Sequence, residues 1–344
     1  MNDKKAVSTR RPVTIKDIAR ILNISVSTVS RALRDTYDVN QETREKVLAL
    51  ANELNYKPNF NATGLARGST RNIGIIIPHI TNYYFSTVIT GIQEEAFSNG
   101  FKIVLFVTND SPERELNIVK SLSISSLDGL LVSISSSTDA CVHFQELMDE
   151  ELPVVFFDRV PSQLHTSKVM QDDYYGAFQG TTHLINNGYR KIAHIAGPKE
   201  LSFTKTRVQG YLDALKEYDI PVKEEWIIYS GFSQEFGEQD TYQLLGLDHQ
   251  PDAIFAVNDR KAIGAMLALK SRNIQIGKEM GVVGFTNDPI STIVTPTLTT
   301  IAEPAFEIGQ KSCELLIKHI TKRYFQPEKI VLPGNLIVRE SSQR

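Results

Sequence analysis

Between positions 13 and 56, apolar residues recur at steps of three and four, the period of helices that pack along one face. Thr14 precedes IKDIARIL with Asp17 three residues on, a capping-box pattern that starts a helix. Ile15, Ile18 and Leu22 share that helix's apolar face. Asn23-Ile24 makes a short turn. Ser25 then caps a second helix, VSTVSRAL, with Val26, Val29 and Leu33 placed inward. A third helix runs from about Gln41 to Leu54, with Val47, Leu48, Ala51 and Leu54 on its apolar side. Tyr56-Lys57-Pro58 ends it, because the residue before a proline avoids helical geometry. The next stretch, NFNATGLARGSTRN, is polar with two glycines and reads as a linker.

Beyond it the pattern changes. Short β-rich runs recur at 73–77, 103–107, 129–134, 154–157, 192–195, 226–229, 253–257 and 281–285. Helical stretches such as TVITGIQEEAFSNG and AIGAMLALKSRN separate most of them. Alternating strands and helices build parallel sheets with helices on both faces. The length of this region is large for one open sheet and points to two. The expected architecture is therefore an all-α helix-turn-helix headpiece followed by an α/β core of two doubly wound parallel-sheet subdomains.

Charge divides the chain in the same place. The net charge is only -3 over 344 residues, but residues 1–71 carry 13 Lys/Arg against 7 Asp/Glu, and the remainder 24 against 33. A basic head on an acidic body suggests that one end meets a polyanion. The two cysteines, Cys141 and Cys313, lie far apart without metal-ligand spacing, and read as buried thiols of a reducing compartment. The N-terminus lacks the apolar stretch of a signal peptide, and no apolar run approaches a membrane span. The expectation is a cytoplasmic protein with no membrane partner, no cofactor and no metal.

The first two helices have helix-turn-helix form, in which the second helix enters the major groove. Val26 can offer a methyl contact to thymine, Ser27 can donate or accept, and Arg31 can reach guanine or phosphate. Thr14, Ser25, Thr28 and Ser30 can fix the helices on phosphates. In the core, several strands end in small polar groups: Thr108-Asn109-Asp110, Asp158-Arg159, Asn258-Asp259 and Thr286-Asn287. Open α/β sheets bind ligands outside the carboxyl ends of their strands, so these endings converge on a candidate cleft. Enzyme chemistry finds little support. GxGxxG after a strand, GxxxxGK[ST], HExxH and GxSxG are all absent, and the seven histidines are scattered.

TIKDIARILNISVSTVSRAL, then NYKPNFNATGLARG and IGIIIP, strongly resembles the lactose-repressor family of bacterial regulators. The resemblance continues through NYYFSTVITGI, FFDR, HIAGP, RVQGY, AVNDRKAIGA, GVVGFTND, LTTI and LIVRES, covering essentially the whole chain in order. It implies a three-helix headpiece (1–58), a hinge (59–71) and a core like periplasmic sugar-binding proteins (72–344). The N-subdomain would take about 72–171 and 301–332, the C-subdomain about 172–300 and 333–344. It also implies a homodimer on a pseudo-palindromic double-stranded operator, acting as a repressor. Leu65 matches the hinge leucine that wedges into the minor groove, with Gly64 beside it as a departure, and Asn59 matches a backbone contact.

The same resemblance implies a small-molecule effector, most often a sugar, closed between the subdomains. Tyr84, Phe85, Asp158 and Arg207 match effector positions, and Phe232, Asn258 and Thr286 are further candidates, with Asp259 and Asn287 beside them at the strand ends. Asp and Arg can each hold two adjacent hydroxyls, while aromatic rings lie on the C–H face of a sugar. Thr286 stands where many relatives carry Asp, and Glu303 where many carry Gln, so effector identity does not transfer. A purine or other nucleobase between Tyr84 and Phe232 is the alternative effector. The alternatives of another class are a metabolite-binding protein or a sugar-handling enzyme with an accessory helical domain.

Overall fold

The computed structural model describes residues 13–33, 39–56, 69–136, 141–322 and 326–344. It divides into two compact units, Met1–Thr70 and Arg71–Arg344. Asn59, Gly64 and Leu65 lie outside the described residues.

The described residues of the first unit form three helices: α1 (Ile15–Leu22), α2 (Val26–Leu33) and α3 (Gln41–Glu53). Asp17 closes the start of α1, accepting the Thr14 N–H at 2.9 Å and the Thr14 hydroxyl at 2.7 Å. Asn23 turns the chain in the left-handed region, which Asn tolerates better than most residues. The Ser25 hydroxyl oxygen then accepts the Thr28 N–H at 3.0 Å and caps α2. Ile18, Ala19, Val29, Ala32, Val47 and Ala51 form the core. Two residues placed inward by periodicity face outward instead: Val26 is 41% exposed and Leu48 42%. With three short helices there is room for about one apolar layer, and Val29 and Val47 already fill it.

The second unit begins with β1 (Asn72–Ile77), α4 (Tyr83–Ser98), β2 (Lys102–Val107), α5 (Pro112–Ser121), β3 (Gly129–Val132), α6 (Val142–Asp149), β4 (Val154–Phe157) and β5 (Lys168–Gln171). It continues with α7 (Asp173–Asn186), β6 (Ile192–Ala196), α8 (Ser202–Glu217), β7 (Ile227–Tyr229), α9 (Gln234–Leu245), β8 (Ala253–Ala256), α10 (Asp259–Ser271), β9 (Gly281–Thr286) and β10 (Thr299–Ala302). The last elements are α11 (Ala305–Thr321), β11 (Lys329–Leu332) and β12 (Asn335–Ile337).

These strands form two six-stranded sheets, ordered β11-β5-β4-β3-β1-β2 and β12-β10-β9-β8-β6-β7. All their pairings are parallel except β10 with β12, an antiparallel edge. Alternation along the strands fills both faces of each sheet. In β1, Ile73, Ile75 and Ile77 pack under α4 and α11, while Ile76 points to the face covered by α5 and α6. The second sheet is covered by α9 and α10 on one side and by α7 and α8 on the other. The chain passes between the sheets three times: after β5, after β10 and after β11. The first pass leads into Asp173, and the second consists of Glu303 and Pro304.

Candidate functional site

The groove-facing side of a helix-turn-helix needs exposed polar groups at the start of its second helix. Ser25, Val26 and Ser27 are exposed there, Thr28 and Ser30 are half-buried, and Arg31 is exposed a turn further on. The Ser25 hydroxyl lies 2.7 Å from those of Ser27 and Thr28, so the three form one connected polar patch. Thr14 stands apart from it, because its hydroxyl is engaged by Asp17.

In the second unit, a cleft of about 490 Å³ opens between the carboxyl ends of the two sheets. Tyr84, Phe85, Asp158, Arg207, Phe232, Asn258 and Thr286 all line it. Strand endings bring them together: Asp158 follows β4, Phe232 lies beyond β7, Asn258 lies just past β8 and Thr286 ends β9. Asp158 adopts φ 58° and Thr286 φ 124°, both uncommon for side-chain-bearing residues and stored more often at functional sites than elsewhere.

Two expected residues do not line this cleft. Asp259 is 1% exposed, and its carboxylate accepts the Thr300 hydroxyl at 2.6 Å and the Asp288 N–H at 2.7 Å. As the first residue of α10, its side chain turns back under the sheet and ties the loop after β9 to β10. Asn287 accepts from Arg339 Nη2 at 2.7 Å and borders a smaller cavity of about 280 Å³ beside the cleft.

Arg207 differs from its expected role as a fork for ligand hydroxyls. It is 4% exposed, and its donors are committed within the protein. Nε donates to Asp173 at 2.8 Å, Nη2 to Glu303 at 2.9 Å, and Nη1 to the Val257 carbonyl. The guanidinium lies 3.6 Å from the centroid of the Phe285 ring and 5.0 Å from that of Phe203. Burial opposes its charge, but Asp173 and Glu303 outweigh burial and hold it above the usual arginine range.

The carboxylates around it are less settled. Burial pushes Glu303 up to about 7, with Arg207 only partly offsetting it and Asp158 and Asp173 adding to the rise. Burial likewise raises Asp158 to about 6, and the Ser133 hydroxyl donates to it at 3.2 Å. Asp110 behaves differently. Burial opposes its ionisation too, but Arg159 at 2.6 Å and the Ser136 N–H and hydroxyl hold it below the usual carboxylate range. Among the described residues the buried Tyr84 hydroxyl finds no well-formed hydrogen bond, Asp158 lying close by, and burial first and the charge on Asp158 next keep its proton firmly on.

Sequence reasoning missed the second aromatic wall. Phe203 stacks on Phe232 with centroids 5.7 Å apart and planes 20° from parallel. Phe203 stands four residues before Arg207, one helical turn along the same face, so the matched arginine was its available signal. Asn258 acts mainly by positioning: it caps α10 through the Lys261 N–H at 2.8 Å and donates to the Phe232 carbonyl at 3.1 Å. At the cleft mouth, Arg260 on α10 donates to the Thr81 carbonyl at 3.0 Å, joining the two lobes. No helix among the described residues is long and apolar enough to cross a membrane.

Comparison with known proteins gives the same division of the chain. The profile of bacterial regulatory proteins of the lacI family matches residues 14–59. The profile of periplasmic binding proteins and the sugar binding domain of the LacI family matches residues 70–340. The HTH-type transcriptional repressor PurR of Vibrio vulnificus (strain CMCP6) is 30% identical over 333 residues, 96% of this chain and 99% of that protein. The lac repressor dimer bound to operator and the anti-inducer ONPF matches with a TM-score of 0.85 at 27% identity, covering 97% of this chain and 100% of that one. The transcriptional regulator CelR in complex with cellobiose matches at 0.73 and 27%, covering 96% and 100%. A capped helix-turn-helix followed by two α/β lobes around a polar and aromatic cleft thus has both its parts matched, and the chain belongs to the LacI family of bacterial transcription regulators.

Proposed function

We propose that this transcription regulator is a dimeric, cytoplasmic repressor whose hold on operator DNA is set by a sugar or sugar derivative in the cleft of residues 72–344. The observation that carries the sugar reading is the pairing of an aromatic wall, Phe203 on Phe232, with carboxylates at Asp158 and Glu303 in one cavity. Rings pack on the C–H face of a pyranose and carboxylates accept its hydroxyls. The cellobiose found in CelR is in keeping with that chemistry. The cleft joins two lobes linked by three chain passes, so a ligand that contacts both lobes favours one closure angle over another. Differential binding to the two arrangements then changes operator affinity. In the headpiece, residues up to 58, α2 is the recognition helix, with Val26, Ser27 and Arg31 toward bases and Ser25, Thr28 and Ser30 toward phosphates. Thr14, whose N–H and hydroxyl are both held by Asp17, starts α1 rather than joining that group, and residues 59–71, with Asn59 and Leu65, form the connection to the core.

The test begins by selecting bound fragments of source DNA with the full chain to define the operator. Fluorescence anisotropy on that operator is then repeated with neutral sugars, sugar derivatives and nucleobases. A sugar that changes operator affinity in wild type and fails to do so in Phe232→Ala supports the reading. A response to nucleobases alone would replace the sugar with the purine-type effector.

A further inference from the structure

We propose that the effector carries a protonated amino group, seated between Asp158 and Glu303, so that the cleft recognises an amino sugar rather than a neutral one. The proposal rests on the sugar-binding reading of the cleft and narrows its ligand class.

The charged groups of the cleft are unevenly paired. Asp110 and Arg159 form a pair at 2.6 Å, reinforced by Ser136, and the Arg159 guanidinium also lies 5.5 Å from the Phe232 ring centroid. Arg260 stands at the mouth, donating to the Thr81 carbonyl, which leaves its positive charge in place there. His79 lies near Asp110, Arg159 and Arg260, half-buried, and burial lowers its affinity for a proton. That leaves three carboxylates, Asp158, Asp173 and Glu303, around the single guanidinium of Arg207. Arg207 bonds Asp173 and Glu303 and does not reach Asp158 with a hydrogen bond. Arg159 approaches Asp158 only to 4.0 Å. Asp158 and Glu303 therefore face the cleft less fully paired than Asp110, and burial raises both carboxyls. Buried charges of one sign are costly unless something pairs with them.

A second observation points to a ligand at the same place. The Tyr84 side chain is 5% exposed, lines the cleft and lies close enough to Asp158 and Glu303 to feel their charges. Among the described residues its hydroxyl nevertheless finds no well-formed hydrogen bond, with Asp158 close by. Buried polar groups are seldom left so, and those that are mark places where another group belongs.

The missing partner is a donor-rich cation. An ammonium offers three donors and a positive charge. It can bond Asp158 and Glu303 together, while the oxygen of a neighbouring ligand hydroxyl accepts from Tyr84. A metal ion fits less well, because among the described residues no group of three or more His, Cys, Asp or Glu is arranged to hold one. The Phe203–Phe232 stack places the ring of the ligand within the same cavity.

The experiment uses the purified full chain and matched ligand pairs in titration calorimetry. Hexosamines and chitosan oligosaccharides are compared with the corresponding hexoses and cello-oligosaccharides. Tighter binding of an amine-bearing member than of its neutral partner, by at least tenfold, is expected. Asp158→Asn/Glu303→Gln should abolish that preference, and Glu303→Gln alone should reduce it. The unliganded melting transition of each variant confirms that it is folded, and the single variant stands in if the double one is not. Equal or tighter binding of the neutral partner, dependent on Phe232, overturns the ammonium proposal and leaves the sugar cleft standing. An amine preference that survives in a folded Asp158→Asn/Glu303→Gln protein also overturns it. If no member of either series binds, both the ammonium proposal and the sugar reading fall.

Discussion

The Arg207 guanidinium donates to Glu303 at 2.9 Å and, through Nε, to Asp173 at 2.8 Å. Those two carboxylates stand on two of the three segments by which the chain passes between its sheets. One buried cation on α8 thus fastens two crossings. Arg207→Ala would leave Asp173 and Glu303 buried without their counter-charge. Removing one partner of a buried pair typically costs about 3–5 kcal/mol. Denaturant unfolding of the full chain should show a loss of that size. A change within about 0.5 kcal/mol, as for an ordinary surface site, would mean that the pair carries no structural weight.

Through its raised carboxyls, acid should stabilise the core rather than weaken it in one pH range. Burial raises Glu303 to about 7, and Asp158 and Asp259 each to about 6. In the unfolded chain these groups return to the ordinary carboxylate range near 4. Between that range and 7 the folded state therefore holds more protons than the unfolded one. Stability contributed by these groups is full below the unfolded values and is lost as pH rises to about 7. Buried His194, lowered to about 3, pulls the other way below the ordinary histidine range, so the readout is the difference: between pH 5 and 7.5 the melting temperature should fall more, or rise less, in wild type than in Glu303→Gln and Asp158→Asn. A steeper fall in those variants would contradict the assignment of the raised groups.

Much of this architecture was legible in the sequence because periodicity reports burial directly. Val154–Phe157 reads as a strand, and it is one, since all four residues are buried from both faces. Four strands escaped. Toward one edge, Lys168–Gln171 alternates half-buried with buried positions and Lys329–Leu332 exposed with half-buried ones, each over only four residues. Thr299–Ala302 and Asn335–Ile337 were recognised as motifs but not as strands, being short and, for the latter, mostly half-exposed. The cleft was legible through strand endings, whose position follows from topology. Their side-chain directions were not, which is why Asp259 turned inward and Asn287 sideways. The partners of Arg207 were equally hidden, because Asp173 is 34 residues away and Glu303 96 residues away.

Helices α4 and α11 meet through reciprocal glycines. A Cβ on Gly91 would lie 2.1 Å from the Phe306 carbonyl oxygen, and one on Gly309 would lie 2.1 Å from that of Val88. Both obstacles are backbone, so neither can be cleared by a rotamer change. The helices would have to separate, loosening the face of the first sheet that they cover. Gly91→Ala and Gly309→Ala should each destabilise the core by about 1–3 kcal/mol, despite the gain in helix propensity. Thermal unfolding of each variant measures this. A rise in melting temperature would show that the helices are free to move apart.

The last prediction separates reading DNA from folding the headpiece. Val26 and Val29 both belong to α2, but Val26 is 41% exposed and Val29 is completely buried. Ser25, just before them, caps the helix through the Thr28 N–H at 3.0 Å. Val29→Ala should expose α1–α3 amides to faster hydrogen exchange, because a buried methyl pair leaves the core. Ser25→Ala should do so more mildly, by about 1 kcal/mol for a lost cap. Val26→Ala should leave exchange almost unchanged, within about 0.5 kcal/mol. Its effect belongs in the operator, where loss of an apolar contact to a base should relax preference at one position by about 1–3 kcal/mol. Exchange of headpiece amides in the full chain, together with binding to operator variants, resolves the three. Val26→Ala accelerating exchange as much as Val29→Ala would place Val26 in the core, as helical periodicity alone suggested, and remove it from the recognition surface.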